Sequence, residues 1–526
     1  MSHRRSLVML FVLGAAVGTP IVVSADAGGR RPSETGHGQG HGRPTTTTVA
    51  PTSVAPDTTI AANDPPPPTP TTTVDPTIVV TTTVAATTTV VSRPLSSVAI
   101  VTPFNEALGF AEHRGLTGGR DGTAYVVTSA ADIGPGTYRE ALSTGRRYVT
   151  FAPTLHGATI QLRSPVITSA SHITVDGGGV DVTVSGYATK FSGTNIVVSG
   201  MRYRHMTGTT NEDALTFRNA SADQVFGVFG NEFERATDGL IDVIWNRGHD
   251  VYGTICGNRF SHHDKAVLLH SGTAEDEGGT YHVTFCRNHW VDVYQRAPLS
   301  RDALVHQYND VLERYGDPLG AGGGSKSGSG VRPSQHRLES NVAIPRSSGD
   351  VTFDGRLTTT SRREFAGPHL GMLGDIRIDG SLLLPASDGS TSATQLERER
   401  ARVFTPPYRA TVTPASRALR DAVTMQAGRC ERPPSPSRLV NPCVPMLVVP
   451  AGGTVKATIG GDPTAVAFML GETLVGTATN RGGGLWDAVL DPRTMPAGSA
   501  GLIRARAIGA DGSVLTSSAV VVLTTA

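Results

Sequence analysis

Phe229-Gly230-Asn231-Glu232-Phe233, Cys256-Gly257-Asn258-Arg259-Phe260 and Cys286-Arg287-Asn288-His289-Trp290 are three versions of one short pattern, and each closes a β-rich segment. The segments are Gln224-Val-Phe226, Asp250-Val-Tyr252 and Tyr281-His-Val-Thr284. Asparagine then recurs at Asn309 and Asn341, and related segments stand at Ala158–Gln161, Ile173–Asp176, Asn195–Val198, Ala303–His306 and His336–Leu338. A repeat of about 20 to 32 residues made only of short strands predicts a solenoid. Each coil would give two or three strands to parallel sheets. The asparagines suit coil corners, because asparagine tolerates left-handed backbone and its amide can bond to the asparagine of the next coil. Cys256 and Cys286 hold equivalent positions, so they stack on adjacent coils, either as a disulfide between rungs or as a buried thiol pair.

The chain has 526 residues, 38% of them hydrophobic, with a formal net charge of +1. That is enough for two or three domains and a large core. A near-zero balance argues against nucleic acid as a partner, so anion binding must come from local clusters. The 61 glycines and 34 prolines fit many short strands joined by turns. Arg4 and Arg5, an apolar run from Leu7 to Val17, and small residues up to Ala25 predict a signal peptide over residues 1–25. The mature chain is therefore expected to be secreted into an oxidising, extracellular compartment, without a membrane span and as a monomer.

Residues 26–95, rich in threonine and proline, read as an extended, disordered linker. The solenoid is expected over residues 96–435, with order beginning near Val98. Within it, the glycines of Gly118-Gly-Arg120 precede a strand and lack a following Lys-Ser/Thr, so they indicate turn chemistry and not a phosphate loop. Cys430 and Cys443 flank a proline-rich turn and read as a local disulfide. Residues 444–526 alternate short strands with Gly, Pro and Asp turns, predicting a small immunoglobulin-like β-sandwich with Trp486 in its core. The expected class is all-β: a right-handed parallel β-helix followed by that sandwich.

Charged residues cluster on successive repeats. Glu212-Asp213 comes first, then Asp238-Gly-Leu-Ile-Asp242, then His262-His263-Asp264-Lys265, then Gln295-Arg296-Ala-Pro-Leu-Ser-Arg301. Separations near one coil let these lie side by side. Asp213, Asp238 and Asp242 make an oxygen cage for a hard cation, calcium in preference to zinc. Two arginines so close suit a polyanion with carboxylates, since guanidinium forks onto that group. Two other readings stay open: His262 and His263 in a metal or acid/base role, and Asp238 with Asp242 as a glycosidase pair. The second leaves Arg296, Arg301 and Lys265 without a task.

From about Gly109 to Arg409 the sequence resembles secreted bacterial pectate lyases of the parallel β-helix superfamily. The resemblance is carried by Gly118-Gly-Arg120, Asp132-Ile-Gly-Pro-Gly136, the Asp-Gly-Leu-Ile-Asp segment, His263-Asp-Lys265, the Arg-x-Pro-x-x-Arg block with Leu304-Val-His306, and Val403-Phe-Thr-Pro-Pro-Tyr408. It implies calcium-dependent β-elimination on polygalacturonate, with Arg296 as base, Lys265 and Arg301 binding substrate carboxylates, and Asp213, Asp238 and Asp242 holding calcium. An alkaline optimum follows from an arginine base. One departure stands out: Phe229 occupies the place of an aspartate in the family's Trp-Ile-Asp-His signature. A silent polyuronate-binding or adhesin β-helix, and a lyase for another polyuronate, are the alternatives.

Overall fold

The structure is a computed structural model that describes residues 92–100, 108–207, 213–270, 279–315, 320–321, 334–344, 375–384, 394–398, 403–430, 443 and 446–526. The expected signal peptide, most of the expected linker and Glu212 lie outside the described residues. What is described belongs to the compact unit Thr87–Ala526.

The repeat builds a parallel β-helix of three sheets. The first stacks Ile173–Asp176, Ile196–Ser199, Gln224–Phe229, Val251–Cys256, Tyr281–Cys286, Ala303–Tyr308 and Gln335–Glu339, each parallel to the next. The second contains Arg202–Met206, Glu232–Glu234, the first part of Arg259–Leu269, His289–Gln295, Val311–Glu313 and Val342–Ile344. Leu215–Phe217, Gly239–Val243, the end of Arg259–Leu269 and Leu299–Ser300 lie in the third, after Val166–Thr168 and Thr189–Phe191. Side-chain alternation along a strand sends every second residue inward. In the second sheet the inward column is Tyr203, Phe233, Phe260 and Trp290, with successive ring centroids 5.3, 5.2 and 4.2 Å apart.

The residue two places before each of the last three rings is the repeat asparagine, and it turns the chain from the first sheet to the second. Asn231 N–H and Nδ2–H both donate to Asn258 Oδ1, at 2.9 and 3.0 Å, and Asn258 repeats this toward Asn288 Oδ1 at 2.9 and 3.1 Å. The ladder then passes through Asp310 and not Asn309: Asn288 N–H donates to Asp310 Oδ1 at 2.7 Å, and Asp310 N–H to Asn341 Oδ1 at 2.8 Å. The left-handed backbone also sits one residue earlier than expected. It falls on Gly230, Gly257, Arg287, Asn309 and Ser340. An asparagine in that conformation spends its tolerance on φ, whereas the ladder needs the next residue, whose amide enters the coil. Removing a rung orphans a buried amide, so Asn258→Ala should destabilise by about 2–4 kcal/mol. Urea denaturation checks this, and an unchanged midpoint would mean that the ladder adds no stability.

Cys256 and Cys286 are paired in register and joined as a disulfide, and Cys430 is joined to Cys443. At the C-terminus a four-stranded and a six-stranded sheet face each other. Their shared core includes Trp486, Ala457 and Val455 from one and Phe468, Ile503 and Val522 from the other. Ser97–Ile100, assigned by sequence to the start of the solenoid segment, pairs antiparallel with Thr454–Gly460 of this sandwich. Val98 and Ile100 enter the sandwich core. A four-residue alternating strand does not specify which sheet it will join. The helix Arg417–Gln426 starts at Ser416, whose Oγ accepts from Leu419 N–H at 3.0 Å. Its Leu419 and Val423 join Val311 and Val342 of the β-helix with Val521 and Leu523 of the sandwich in one apolar cluster.

Candidate functional site

The third sheet gathers the charged repeats. Asp213 lies just before the strand Leu215–Phe217, and its Oδ1 accepts the Gly239 N–H of the next coil at 2.9 Å, while Thr216 Oγ donates to Oδ2 at 3.2 Å. Gly239 pairs with Lys265, and Lys265 with Gln295. Four consecutive coils thus present Asp213, the Asp238–Asp242 segment, Lys265 and Gln295-Arg296 along one edge.

Asp242 is buried on the strand Gly239–Val243, and its Oδ1 has no hydrogen-bond partner. A Cβ on Gly239 would stand 2.5 Å from Asp242 Oδ1 and 3.0 Å from Asp213 Oδ1, so two carboxylates close on that backbone and a side chain there would have to displace them. Burial pushes the Asp213 carboxyl up to about 6, with the negative charge of Asp238 adding to it and the Gly239 N–H opposing it. Burial, and next the charge of Asp213, drives the Asp242 carboxyl well above the ordinary range, against the pull of Arg296 and Lys265. Two desolvated carboxylates with one oxygen unsatisfied have the donor chemistry that suits a hard cation.

Asp238 is turned elsewhere. Its Oδ1 is 2.9 Å from Lys265 Nζ, and its carbonyl accepts from His263 Nε2–H at 2.5 Å. Among the described residues no three acidic, histidine or cysteine side chains converge on one point. A third carboxylate beside Asp213 and Asp242 meets like charge, and the ammonium on the next rung relieves it. His263 therefore fixes the Asp238 backbone, a role that sequence reading left unassigned.

Arg296 follows the strand His289–Gln295 with a left-handed φ of 64°. Its carbonyl accepts Val267 N–H at 2.6 Å, and its Nε is buried without a hydrogen-bond partner. Arg301 comes after Leu299–Ser300, where its N–H bonds to Leu269 O and its guanidinium donates to His270 O at 2.9 Å. The two arginines therefore bracket a third-sheet strand, Arg296 near its upstream end and Arg301 at its downstream end. Lys190 was missed by sequence reading: it aligns with Thr216 and, one rung further, with Asp242, and its charge lowers the Asp213 carboxyl's proton affinity. The alternation of Thr189-Lys-Phe191 would have revealed that its side chain lies on the face opposite the inward Phe191.

Other motif residues meet away from this edge. His306 Nδ1 lies 2.7 Å from Tyr408 Oη, and Thr284 Oγ lies 2.5 Å from the same phenol, on the outer face of the first sheet. Phe229 belongs to that face too, buried in a cluster with Ala111, Leu116, Val197 and Tyr308. The short helix Phe110–His113 covers the sheet, with Phe110 N–H and Ala111 N–H donating to Thr284 and Thr254 hydroxyls. The residue at the aspartate's place thus packs under a cover helix on the first sheet, not on the third. Gly118 likewise serves a turn, donating its N–H to Asn195 Oδ1 at 2.6 Å.

Residues 218–342 match the sequence profile of the family described as "Pectate lyase". That span contains Asp238, Asp242, Lys265, Arg296 and Arg301, with Asp213 just upstream. "Probable pectate lyase 9" of Arabidopsis thaliana is 26% identical over 334 residues, covering 59% of this chain and 68% of that protein. "Probable pectate lyase P56" of Solanum lycopersicum is 29% identical over 235 residues, covering 40% and 57%. Among solved structures, jun a 1, the major allergen from cedar pollen, aligns with a TM-score of 0.43 at 20% identity, over 61% of this chain and 92% of its own. A Bacillus pectate lyase in complex with trigalacturonate aligns with a TM-score of 0.42 at 19% identity, over 61% and 98%. The matched span thus covers the coils that carry Asp242, Lys265, Arg296 and Arg301.

Proposed function

We propose that this protein is a secreted, calcium-dependent lyase that cleaves polygalacturonate by β-elimination and releases 4,5-unsaturated oligogalacturonides. One observation carries the reading: buried Asp213 and Asp242 stand on neighbouring rungs, Lys265 and Arg296 follow on the next two, and all but Asp213 lie in the span that matches the pectate lyase family. Asp213 and Asp242 would hold the cation, and Asp238 would join them once its ion pair with Lys265 opens. Bound there, calcium supplies positive charge that draws electron density from a uronate carboxylate.

The chain's own residues account for the remaining roles. Lys265 and Arg301 bind substrate carboxylates and stabilise the charge that develops as the proton on carbon 5 leaves. Arg296 accepts that proton, the C–H electron pair becomes the new carbon–carbon double bond, and the bond from carbon 4 to the glycosidic oxygen breaks. Solvent protonates the departing oxygen. Two disulfides agree with an oxidising, extracellular location.

The test is ultraviolet absorbance of the unsaturated product during incubation with polygalacturonate and calcium at alkaline pH. Chelation should reduce the rate at least tenfold. Binding of the polymer without product would leave the silent β-helix reading, and a rate indifferent to chelator would remove the cation from the site.

A further inference from the structure

The downstream edge of the third sheet carries a second feature that the lyase reading leaves unused. A cleft of about 590 Å³ is formed there by turns following four consecutive strands, with Ser169, Ser192, Arg218, Asn219, Trp245 and Arg247 among its lining residues. Trp245 is 41% exposed, whereas the chain's other tryptophans, Trp290 and Trp486, are 0% and 7% exposed. Both Trp245 and Arg247 have left-handed backbone, with φ of 59° and 46°. Bulky residues enter that region at a cost.

The Arg218 guanidinium lies 5.5 Å from the indole centroid, and its Nε donates to Ser192 Oγ at 3.4 Å. Asn219 Oδ1 accepts from Ser221 and Ala222 N–H at 3.0 and 3.1 Å and pins the intervening wall. Among the described residues the lining contains two cations and no acid. An exposed indole, two guanidiniums and a rim of hydroxyls match a ligand that is apolar on one face, hydroxylated at its edges and negatively charged.

We infer that this cleft binds a uronate ring, as an accessory saccharide site apart from the Asp242–Arg296 edge. Register chooses a sugar polymer over a free organic anion. Arg218, Ile244, His270 and Arg301 occupy successive rungs of one edge, each bonding back to the strand before it. Three rung spacings put the backbones of Arg218 and Arg301 roughly 14 Å apart along the solenoid axis. A polyuronate laid along that axis meets a guanidinium at each end of the interval. The inference rests on the lyase reading for the identity of the sugar, not for the existence of the site.

Acrylamide quenching of tryptophan emission reports on this cleft, because Trp245 is the exposed indole. In the full chain with chelator present, trigalacturonate should protect the emission saturably and galactotriose should not. Trp245→Phe should remove the response. Arg247→Gln, and separately Arg218→Ala, should weaken apparent affinity at least tenfold, while Asp242→Asn leaves it unchanged. Protection absent with trigalacturonate, equal with galactotriose, or undiminished in both arginine variants would overturn the inference. A chain that releases no unsaturated product but still shows charge-dependent protection would refute the lyase reading and leave this site standing.

Discussion

Arg296→Lys is expected to lower kcat for β-elimination on polygalacturonate by about a thousandfold or more, with KM changed less than about threefold, as removing a general base does. The proton acceptor has to reach carbon 5 of a uronate whose carboxylate is already held, and Arg296 leaves its strand at the height of Val267, one rung beyond Lys265. Its Nε is buried and makes no hydrogen bond, so this part of the side chain is not committed to holding the fold. Lysine keeps the charge but loses the planar fork, and its single nitrogen sits on a flexible stem. Arg301→Lys provides the contrast. It should raise KM more than it lowers kcat, because Arg301 acts from the other end of the strand and its guanidinium is anchored on the His270 carbonyl. A rate within tenfold of wild type for Arg296→Lys would remove Arg296 from proton transfer. An equal effect of both substitutions on KM alone would make the two arginines a common substrate clamp.

The fold was legible in the sequence because its period is enforced by few contacts that each need a particular residue. An amide ladder wants asparagine at a corner, and a stacked core wants an aromatic two places later, so Asn231 to Trp290 spell out three coils in order. Where the chemistry loosened, reading slipped by one: Asp310 replaces asparagine in the ladder, accepting from Trp290 Nε1 and Gln307 Nε2 at 2.8 Å each, and Asn309 beside it drew the eye. Burial pushes the Asp310 carboxyl up to about 7, so this rung tolerates an acid that composition alone would assign to the surface. Ser97–Ile100 failed for a different reason, since its partner lies more than 350 residues away in sequence and alternation carries no address.

At the candidate site, sequence spacing was enough to put Asp213, Asp242, Lys265 and Arg296 on neighbouring rungs, because coil length converts directly into register. It could not give side-chain direction. Asp238 turning to Lys265, His263 bonding to the Asp238 carbonyl, and the separation of Arg296 from Arg301 by a strand all depend on local geometry. The Phe229 substitution was legible as a difference but not as a location. Only the register shows that its strand belongs to the first sheet, so the altered residue shapes packing beneath the helix Phe110–His113.

Asp242→Asn should make the cation-free protein more stable at pH 8, and should abolish the stabilisation that calcium gives the wild type. The sign follows from the carboxyls. Burial pushes the Asp213 carboxyl up to about 6 against an ordinary 3.8, and burial, with the charge of Asp213 next, holds the Asp242 carboxyl well above that ordinary value. Folded protein therefore holds protons that unfolded chain releases. The stability linked to them is fully present below the unfolded value and is lost as pH rises through the folded one, on the order of 3 kcal/mol for Asp213 alone. Replacing Asp242 by its neutral isostere removes one buried charge from beside Asp213. Melting without divalent cations should then rise by several degrees at pH 8 and change little at pH 4. Calcium at a hundred times its Kd adds about 2.7 kcal/mol to a protein that binds it only when folded. That increment belongs to the wild type and should vanish with Asp242→Asn, together with lyase activity. Equal calcium-dependent gains in melting temperature for the two proteins would show that the cation binds elsewhere. A variant less stable than wild type in chelator at pH 8 would show that the Asp242 charge is already compensated within the fold, and that the pair belongs to the structure's own ionic network and does not bind the cation.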